Sequence, residues 1–501
     1  MIWPLVLVPF LVGLSIFAFP RRADALATGV GIFVALGTLV ATVLLSSAPD
    51  ETLPWITRPS FPFASSFHVG LGSGLSFWLV LLTALTSACA LLTTTTQVPR
   101  RRDFVAWMVL LQGAMTGVFV ARDLLMFALF WDLMLIPVFV ILIGWSAGHR
   151  ASAWRYLLYN GSAGLLLLIA VAAYGITTGS TDVLSVSVTY LKGNPLGPME
   201  AWLFIGFALA FLVKTPVWPF HTWMPTTYAD LPAPAVAVVS AVQSKAGLYG
   251  FLAVTTMVFP AATHVVAPVM IVLGTVGVVA GAFAALVQTD VKRIVAYSSL
   301  SHLGLILAAI FTFDPIALSG AVVYMIAHGL FSAALFLTLG SVEQRTETRL
   351  LRRMGGLGIR NPRLAGALVI SALAALGLPG LCGFAGEILI LTGLFRSGAV
   401  WPTMLALVAT VAAAAYMLRL FQGIMHGPEA ADLPQRSDLQ WAEGLALVPL
   451  VLGMVWLGIN PSVIARAVPA SASLSMDAHT PAPYDTAAFP SVVPPATEAL
   501  R

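Results

Sequence analysis

Long apolar runs separated by short polar segments occupy most of the chain. A helix needs about 20 apolar residues to cross a bilayer, and about fourteen runs of that kind follow one another along the sequence. They lie near residues 2–19, 25–47, 74–96, 104–121, 123–147, 155–177, 200–223, 234–259, 264–288, 293–312, 316–341, 363–396, 399–426 and 440–459. The pattern predicts an all-α polytopic membrane protein with about 14 transmembrane helices.

The composition excludes a soluble enzyme. Hydrophobic residues make up 59% of the 501 residues and charged residues 9%, with a mean hydropathy of +0.93. A soluble domain carries about 25% charged residues, because its surface needs them. We therefore expect residues 1–459 to form a single transmembrane domain. Residues 460–501 are rich in Pro, Ala and Ser and lack periodicity, so we expect a disordered or loosely docked tail there.

The positive charges are distributed unequally between alternate loops. The loops after spans 1, 3, 5, 9, 11 and 13 hold 17 of the 25 lysines and arginines, whereas the opposite loops hold four. Cytoplasmic loops are enriched in Lys and Arg, so the first set is predicted to be cytoplasmic and both termini to lie outside. The net charge is only +4, and no basic helix is interleaved with aromatic residues. We expect the lipid bilayer, and not nucleic acid, to surround the chain.

Motifs for redox cofactors are missing from the sequence. Its two cysteines, Cys89 and Cys382, lie in apolar runs without CxxC spacing. That spacing does not favour a thiolate metal site or an iron–sulfur cluster. A CxxCH haem motif, a GxGxxG motif after a strand and a Walker A motif are also absent from the sequence. We predict that the chain itself binds no redox cofactor.

Several ionisable side chains lie inside the apolar runs. On insertion scales a charge at the centre of a membrane helix costs about 2.5–3.5 kcal/mol, and such residues mark ion or proton pathways. The alternative is that the charges only neutralise one another between helices, and that the histidines make interhelical hydrogen bonds. Because histidine titrates near neutral pH, we predict a proton relay. Its members are Asp132, Lys214, Lys245, His302, His328 and Glu387.

Two of the apolar runs are predicted to be interrupted near an ionisable residue. Lys214 is followed by Pro216 and Pro219, and each proline removes a backbone donor and frees a carbonyl one turn earlier. The twelfth run contains the glycine-rich segment Gly377–Gly386 directly before Glu387. A helix broken at membrane depth is tolerated where it lines a cavity or is covered by protein. Two interrupted spans, five apart, indicate paired or inverted repeats of a transporter.

These residues carry a resemblance to a known family. The chain resembles the antiporter-like membrane subunits of proton-pumping NADH:quinone oxidoreductase, respiratory complex I, and most closely the subunit M type. The resemblance runs from about residue 70 to 430 and rests on several long motifs in the same order. The matching stretches are Lys214–Pro225, Ser244–Gly250, Asp290–Gly304, Ala327–Phe336 and Gly377–Glu387.

The resemblance implies fourteen helices, with helices 4–8 and 9–13 as inverted five-helix repeats and helices 7 and 12 discontinuous. Lys214 would be the central lysine of helix 7, and Lys245 the connecting lysine of helix 8. Glu387 would be the carboxylate of helix 12 that is typical of subunit M. In the segment Phe130-Trp131-Asp132 the family usually carries glutamate in place of Asp132.

The function implied is proton translocation in the bacterial inner membrane, coupled to electron transfer in partner subunits. NADH, FMN, iron–sulfur clusters and quinone would be bound by those partners, and the neighbours of this chain would be other membrane subunits of the same complex. Two alternatives stay open at this point. One is a subunit of a multi-subunit cation/proton antiporter or membrane-bound hydrogenase, and the other is a structural scaffold subunit that does not pump.

Overall fold

Helices account for nearly all regular structure in the part of the chain that the structure describes. The computed structural model describes residues 2–56, 62–72, 74–146, 150–183, 196–428 and 437–468. Within these ranges, eleven helices are long and apolar enough to cross a membrane. They are Asp24–Leu44, Leu75–Thr95, Arg101–Val120, Leu124–Trp145, Arg150–Thr178, Ala233–Val258, Pro260–Val287, Val291–Ile310, Pro315–Thr346, Val400–Met425 and Trp441–Ile459. The chain is therefore an all-α polytopic membrane protein, as the apolar runs predict.

The helices are numbered in chain order, and several of them are shorter than a membrane span. α1 spans Pro4–Ile16 and precedes α2, which spans Asp24–Leu44. In chain order the other helices are α3 (Leu75–Gln97), α4 (Arg101–Val120), α5 (Leu124–Leu133), α6 (Leu135–Trp145), α7 (Arg150–Thr178), α8 (Met199–Lys214), α9 (Met224–Asp230), α10 (Ala233–Val238), α11 (Ser244–Tyr249), α12 (Thr256–Val258), α13 (Pro260–Val287), α14 (Val291–Ile310), α15 (Pro315–Thr346), α16 (Leu357–Arg360), α17 (Pro362–Ala375), α18 (Cys382–Arg396), α19 (Val400–Met425), α20 (Trp441–Ile459) and α21 (Ser462–Ala465).

Three helices begin at an aspartate that caps them. Asp123, Asp290 and Asp314 precede α5, α14 and α15, and each carboxylate accepts hydrogen bonds from the backbone N–H groups two and three residues later. These N–H groups have no partner within the helix, so the side chain satisfies donors that would otherwise be left open at the helix start. The caps fix where these spans begin.

Two helices are interrupted where the proline and glycine segments predict it. α8 ends at Lys214 and the chain becomes helical again at Met224, where α9 begins. α17 ends at Ala375 and α18 begins at Cys382. Gly377 lies in the second interruption with a φ of +79°. That backbone conformation strains any residue with a Cβ atom, which explains a glycine at this position.

A two-stranded antiparallel sheet lies between α2 and α3. Its strands are β1, Glu51–Ile56, and β2, Ser65–Val69. The backbone N–H of Gly70 donates to the carbonyl of Val120, so the sheet lies at the end of the bundle where α4 finishes. We call this end the hairpin face. The apolar runs do not predict this sheet, because its two short strands lie in the connection between two of them.

The opposite end carries most of the basic residues, and we call it the arginine face. α3 runs from Leu75 near the hairpin to the arginine face, and Arg101 begins the return helix α4. The backbone N–H of Ile2 donates to the Glu51 carboxylate on the hairpin face. The ring of Trp456, near the end of α20, lies 6.2 Å from the ring of Trp78, near the start of α3, and is tilted by 34° to it. Both ends of the described chain therefore lie on the hairpin face.

The centre of the bundle is formed by two spans. Ala233–Val258 and Pro315–Thr346 are fully buried along their most apolar stretch, whereas Asp24–Leu44 and Val400–Met425 bury 39% of theirs. α15 packs against helices from both halves of the chain, including α3, α10, α14 and α18. Ala233–Val258 carries Lys245 and α15 carries His328, so two of the six predicted relay residues lie on the most buried helices.

The predicted tail, 460–501, is described only over its first residues. α21 lies there, at Ser462–Ala465. Residues 469–501 lie outside the described ranges.

Candidate functional site

Lys214 is the last residue of α8 and lies where this helix is interrupted. Its side chain is 1% exposed, and its Nζ has no hydrogen-bond partner among the residues that the structure describes. The ammonium lies 5.0 Å from the centroid of the Trp131 ring, over its face. A cation at that distance is attracted by the negative face of the aromatic ring. Lys214 is therefore held by a cation–π contact with Trp131.

Asp132 follows Trp131 in the sequence, but its carboxylate points elsewhere. No ion pair within 4.0 Å joins Asp132 to Lys214 in the described part of the chain, although the two charges attract each other through space. A Cβ atom on Gly164 of α7 would lie 1.7 Å from Oδ1 of Asp132. The carboxylate therefore occupies the space that this glycine leaves open. Asp132 and Lys214, both members of the predicted relay, therefore do not form a direct ion pair in this structure.

Gly247 allows the helix that carries Lys245 to pack closely against the end of α8, where Lys214 lies. A Cβ atom on Gly247 would lie 2.1 Å from Oγ1 of Thr215 and 2.4 Å from the carbonyl oxygen of Phe211. Only a residue without a side chain allows α11 to approach the end of α8 this closely. The segment Ser244–Gly250 thus places Lys245 beside the interrupted helix.

Lys245 lies on α11 with π-helical turns on either side. These turns span Val239–Gln243 and Gly250–Thr255. The Lys245 side chain is fully buried and its Nζ donates to the carbonyl oxygen of Ser240 at 2.7 Å. Its Nζ also lies 2.5 Å from Nδ1 of His328. π-helical turns in membrane helices frequently occur at functional sites, since they displace backbone groups from the regular ladder.

His328 and His302 extend the contacts of Lys245 into the second half of the chain. The ring centroids of His328 and His302 are 5.6 Å apart, and the ring of Phe331 packs against both, at 5.2 and 5.3 Å. Among the described residues, Nε2 of His328 and Nδ1 of His302 have no hydrogen-bond partner. Unpaired buried polar atoms are costly, so two of them on neighbouring rings indicate groups that exchange protons or bind water.

Glu387 and His302 line the same small cavity. Its volume is about 10 Å³, and Tyr324, Ser301 and Thr410 also line it. A cavity of that size holds about one water molecule, which needs polar partners such as these. Thr410 of α19 donates a hydrogen bond to Oε1 of Glu387. The cavity therefore connects the imidazole of His302 with the carboxylate of Glu387.

The interruption before α18 also shapes the Glu387 site. A Cβ atom on Gly377 would lie 2.5 Å from Oε2 of Glu387, closer than a carbon atom can approach. Glu387 itself is 8% exposed. Glycine is therefore required at position 377 for two reasons. It allows the positive φ of the turn, and it leaves space for the Glu387 carboxylate.

The structure thus places four of the six predicted residues in one series, Lys245–His328–His302–Glu387. Lys214 and Asp132 lie outside this series, on the Lys245 side and beyond Gly247. Sequence reasoning missed Trp131 and Thr410 as contacts of Lys214 and Glu387. Trp131 could have been found as the aromatic residue next to Asp132, whereas nothing distinguishes Thr410 from the other threonines in apolar helices.

The chain is similar to known membrane proteins over most of its length. Residues 121–413 match the family described as NADH:quinone oxidoreductase/Mrp antiporter, TM. The NADH-quinone oxidoreductase subunit M of Pseudomonas aeruginosa is 34% identical, over 81% of this chain and 82% of that protein. The protein of the same name from Escherichia coli is 33% identical, over 82% of each chain.

Solved structures show the same likeness at the level of the fold. A chain of respiratory complex I from Thermus thermophilus matches with a TM-score of 0.85 and 28% identity, covering 95% of this chain and 99% of that one. A chain of the Mrp complex from a Dietzia species has a TM-score of 0.83 at 20% identity, covering 96% and 97%. The second likeness concerns the fold alone. With the family match spanning more than half of its length, the chain belongs to the NADH:quinone oxidoreductase/Mrp antiporter transmembrane family.

Proposed function

We propose that the chain is a proton-translocating, antiporter-like membrane subunit of an NADH:quinone oxidoreductase of the subunit M type. The observation that carries the proposal is the buried series Lys245–His328–His302–Glu387 on helices from both halves of the chain. The relatives named subunit M, at 33–34% identity over four fifths of the chain, support the choice of complex. Other membrane subunits of that complex are its partners, and those partners would bind NADH, FMN, iron–sulfur clusters and quinone.

The proposed architecture has fourteen transmembrane helices arranged as inverted repeats, helices 4–8 and 9–13. The interruption between α8 and α9 and the one between α17 and α18 fall in corresponding helices of the two repeats, 7 and 12. Transporters built from inverted repeats place their sites at such discontinuous helices. Lys214 and Glu387, each beside one interruption, support this arrangement.

We place the arginine face in the cytoplasm of a bacterium and the hairpin face outside, with the chain in the inner membrane. The unequal distribution of Lys and Arg between the loops supports this orientation. Both termini would then lie outside, consistent with the position of Ile2 and Trp456 near the hairpin.

A charged cavity on the arginine face offers an entry for protons. Its volume is about 420 Å³, and it lies at the start of α10, among Asp230, Lys292, Glu343 and Arg349. Nζ of Lys292 lies 2.7 Å from Oε2 of Glu343 and donates to the carbonyl oxygen of Leu231. The span Ala233–Val258 begins at this cavity and carries Lys245. Water in the cavity would therefore reach the N-terminal end of that span.

Within the bundle, the position of one charge sets the proton affinity of the next. When the Lys214 ammonium moves from the Trp131 ring toward Asp132, its positive charge is neutralised and Lys245 can hold a proton more easily. When the pair opens, repulsion from the Lys214 ammonium drives the proton from Lys245 through the histidines to Glu387. Moving one charge against 100 mV takes about 2.3 kcal/mol, which interactions between buried charges can supply.

Replacing Lys214 tests this function. Lys214→Ala removes the ammonium, and we expect loss of pumping by this subunit and slower electron transfer in the assembled complex. Lys214→Arg keeps the charge and should retain part of the activity. A scaffold role predicts that Lys214→Ala changes stability and leaves coupling intact. Normal pumping by fully assembled Lys214→Ala would overturn the proposal.

A further inference from the structure

A gap separates His302 from Glu387 in the buried series. Among the described residues, Nδ1 of His302 has no hydrogen-bond partner, and the hydrogen bond to Oε1 of Glu387 comes from Thr410. Both side chains line the cavity of about 10 Å³, which holds about one water molecule. A single water molecule can carry a proton across this gap only if it is held in position between the two groups.

Tyr324 of α15 lies beside His302 at this gap. Its side chain is 1% exposed, and its ring packs edge-to-face with the imidazole of His302, with centroids 5.7 Å apart. Tyr324 precedes His328 by four residues, so one face of α15 carries both rings, a turn apart. His302 therefore contacts two side chains of the same helix. One is His328, the preceding member of the series, and the other is Tyr324, which lines the cavity.

Gly386 allows α18 to pack closely against Tyr324. A Cβ atom on Gly386 would lie 2.7 Å from Cβ of Tyr324 and 2.8 Å from its Cα, so a side chain at this position would push α18 away from α15. Glu387 is the next residue of α18. Its carboxylate and the phenol of Tyr324 interact electrostatically, and both residues line the cavity. Tyr324 thus lies close to both groups between which the proton would move.

Three described residues around the cavity carry hydroxyl groups, namely Ser301, Tyr324 and Thr410. Ser301 donates its proton to the carbonyl oxygen of Val278 at 2.9 Å, and Thr410 donates to Glu387. Because a hydroxyl group has one proton to donate, Tyr324 is the residue of the three that can donate to water. A buried water molecule makes about three hydrogen bonds, and His302, Glu387 and Tyr324 supply three partners.

We infer that Tyr324 is a positioning residue for proton transfer from His302 to Glu387, and that it acts by holding one water molecule between them. The Tyr324 hydroxyl donates a hydrogen bond to the water oxygen. The water accepts the proton of the His302 imidazolium and gives one of its own protons to the Glu387 carboxylate. The imidazole becomes neutral and the carboxyl group protonated, while the water and the phenol are unchanged. The inference rests on the proposed function, since it concerns one step of the same path.

Replacing Tyr324 by phenylalanine tests the inference. Tyr324→Phe removes the hydroxyl and keeps the ring that packs against His302 and Gly386. One hydrogen bond corresponds to about a two- to tenfold change in an equilibrium, and we expect proton pumping by the assembled complex in vesicles to slow by about that factor. Because transfer to Glu387 then limits coupled turnover, the solvent deuterium isotope effect on NADH oxidation should rise. A tyrosine that only packs would leave this isotope effect unchanged.

Tyr174→Phe is the matched control. Tyr174 is a buried tyrosine of α7, in the first half of the chain, and its ring packs edge-to-face with Phe259. Since Tyr174 lies outside the cavity, its variant should keep the wild-type pumping rate and isotope effect. Equal losses in the two variants would show that removing any buried hydroxyl has this effect, and would overturn the role of Tyr324.

Ala409→Val reaches the same water molecule without changing a polar group. Ala409 of α19 is buried and lines the cavity, so the two added methyl groups would take the space of the water. We expect slower pumping with a raised isotope effect, as in Tyr324→Phe. Ala412→Val, at a buried position of the same helix outside the cavity, controls for overpacking and should pump faster than Ala409→Val.

A wild-type pumping rate and isotope effect in Tyr324→Phe would overturn the inference. If Tyr324→Phe does not assemble, Ala409→Val decides, and wild-type pumping by that variant would equally exclude the water-mediated step. If Glu387→Gln lowers the ratio of protons pumped to electrons transferred while Tyr324→Phe matches the wild type, the proposed function stands and only the role of Tyr324 is refuted.

Discussion

At the level of single residues, the aromatic contact of Lys214 is the feature that the sequence did not lead us to expect. The ammonium has two places to rest, the face of Trp131 and the carboxylate of Asp132, and the structure holds it at the first. A buried charge with alternative partners is the element that a relay needs, because moving between them changes the field at the next site.

Trp131 should therefore be required for efficient coupling. A desolvated cation–π contact contributes about 2 kcal/mol, and about 1.4 kcal/mol corresponds to a tenfold change in an equilibrium. We expect Trp131→Leu to lower the pumping rate by about tenfold or more. Trp131→Phe keeps a weaker aromatic face and should give an intermediate rate. Proton uptake by reconstituted complex measures both. Equal activity of Leu and Phe variants would show that the ring only fills space.

Asp132 should be required as the second partner of Lys214. Asp132→Asn removes the negative charge, and we expect it to uncouple pumping from electron transfer because the ammonium has no carboxylate to move toward. Asp132→Glu lengthens the side chain by one methylene group and should retain activity. The measurement is the ratio of protons pumped to electrons transferred. Normal pumping by the Asn variant together with failure of the Glu variant would identify Asp132 as a packing residue.

At the level of elements, the apolar runs and their interruptions could be predicted, whereas the local geometry around the lysines could not. Proline and glycine mark where α8 and α17 end, since they change the backbone directly. The π-helical turns around Lys245 leave no mark in the composition of an apolar helix. The β-hairpin was missed because its strands are only six and five residues long and pair only in the folded chain. The open position of Asp132 depends on the space beside Gly164, which lies on another helix.

The contact between α11 and α8 provides a test at this level. Gly247→Ala would place a Cβ atom 2.1 Å from Oγ1 of Thr215 and must push the two helices apart. Overpacking of this kind costs about 1–3 kcal/mol, so we expect a lower thermal midpoint and reduced pumping. Gly366→Ala in α17 is the matched control, because no atom lies within 4 Å of the added Cβ. Equal thermal stability of the two variants would contradict the close approach.

At the level of the whole molecule, the two faces of the bundle differ in charge and in the chain ends that they carry. The hairpin face holds Ile2 and the end of α20, and the arginine face holds the segment Thr346–Arg363. The sequence predicts this division because each apolar run reverses the direction of the chain. The spatial series from Lys245 to Glu387 was predicted only as a set of residues, since their order depends on how α11, α14, α15 and α18 pack.

The proposed orientation can be checked by labelling. With the single-cysteine variant Arg352→Cys in a background without Cys89 and Cys382, a membrane-impermeant thiol reagent should not label intact cells. The same reagent should label the variant in inverted vesicles, because position 352 would face the cytoplasm. Labelling of intact cells at this position would reverse the assignment of the two faces.

In the proposed mechanism, protons pass from Lys245 through the histidines to Glu387. The most direct test is the ratio of protons pumped to electrons transferred by the assembled complex carrying Glu387→Gln, reconstituted in vesicles. Glutamine keeps the size of the side chain and can still contact Thr410, but it cannot carry a proton through the site. We expect a fully assembled complex with a lower ratio than the wild type, and partial activity for Glu387→Asp. A wild-type ratio in Glu387→Gln would contradict it.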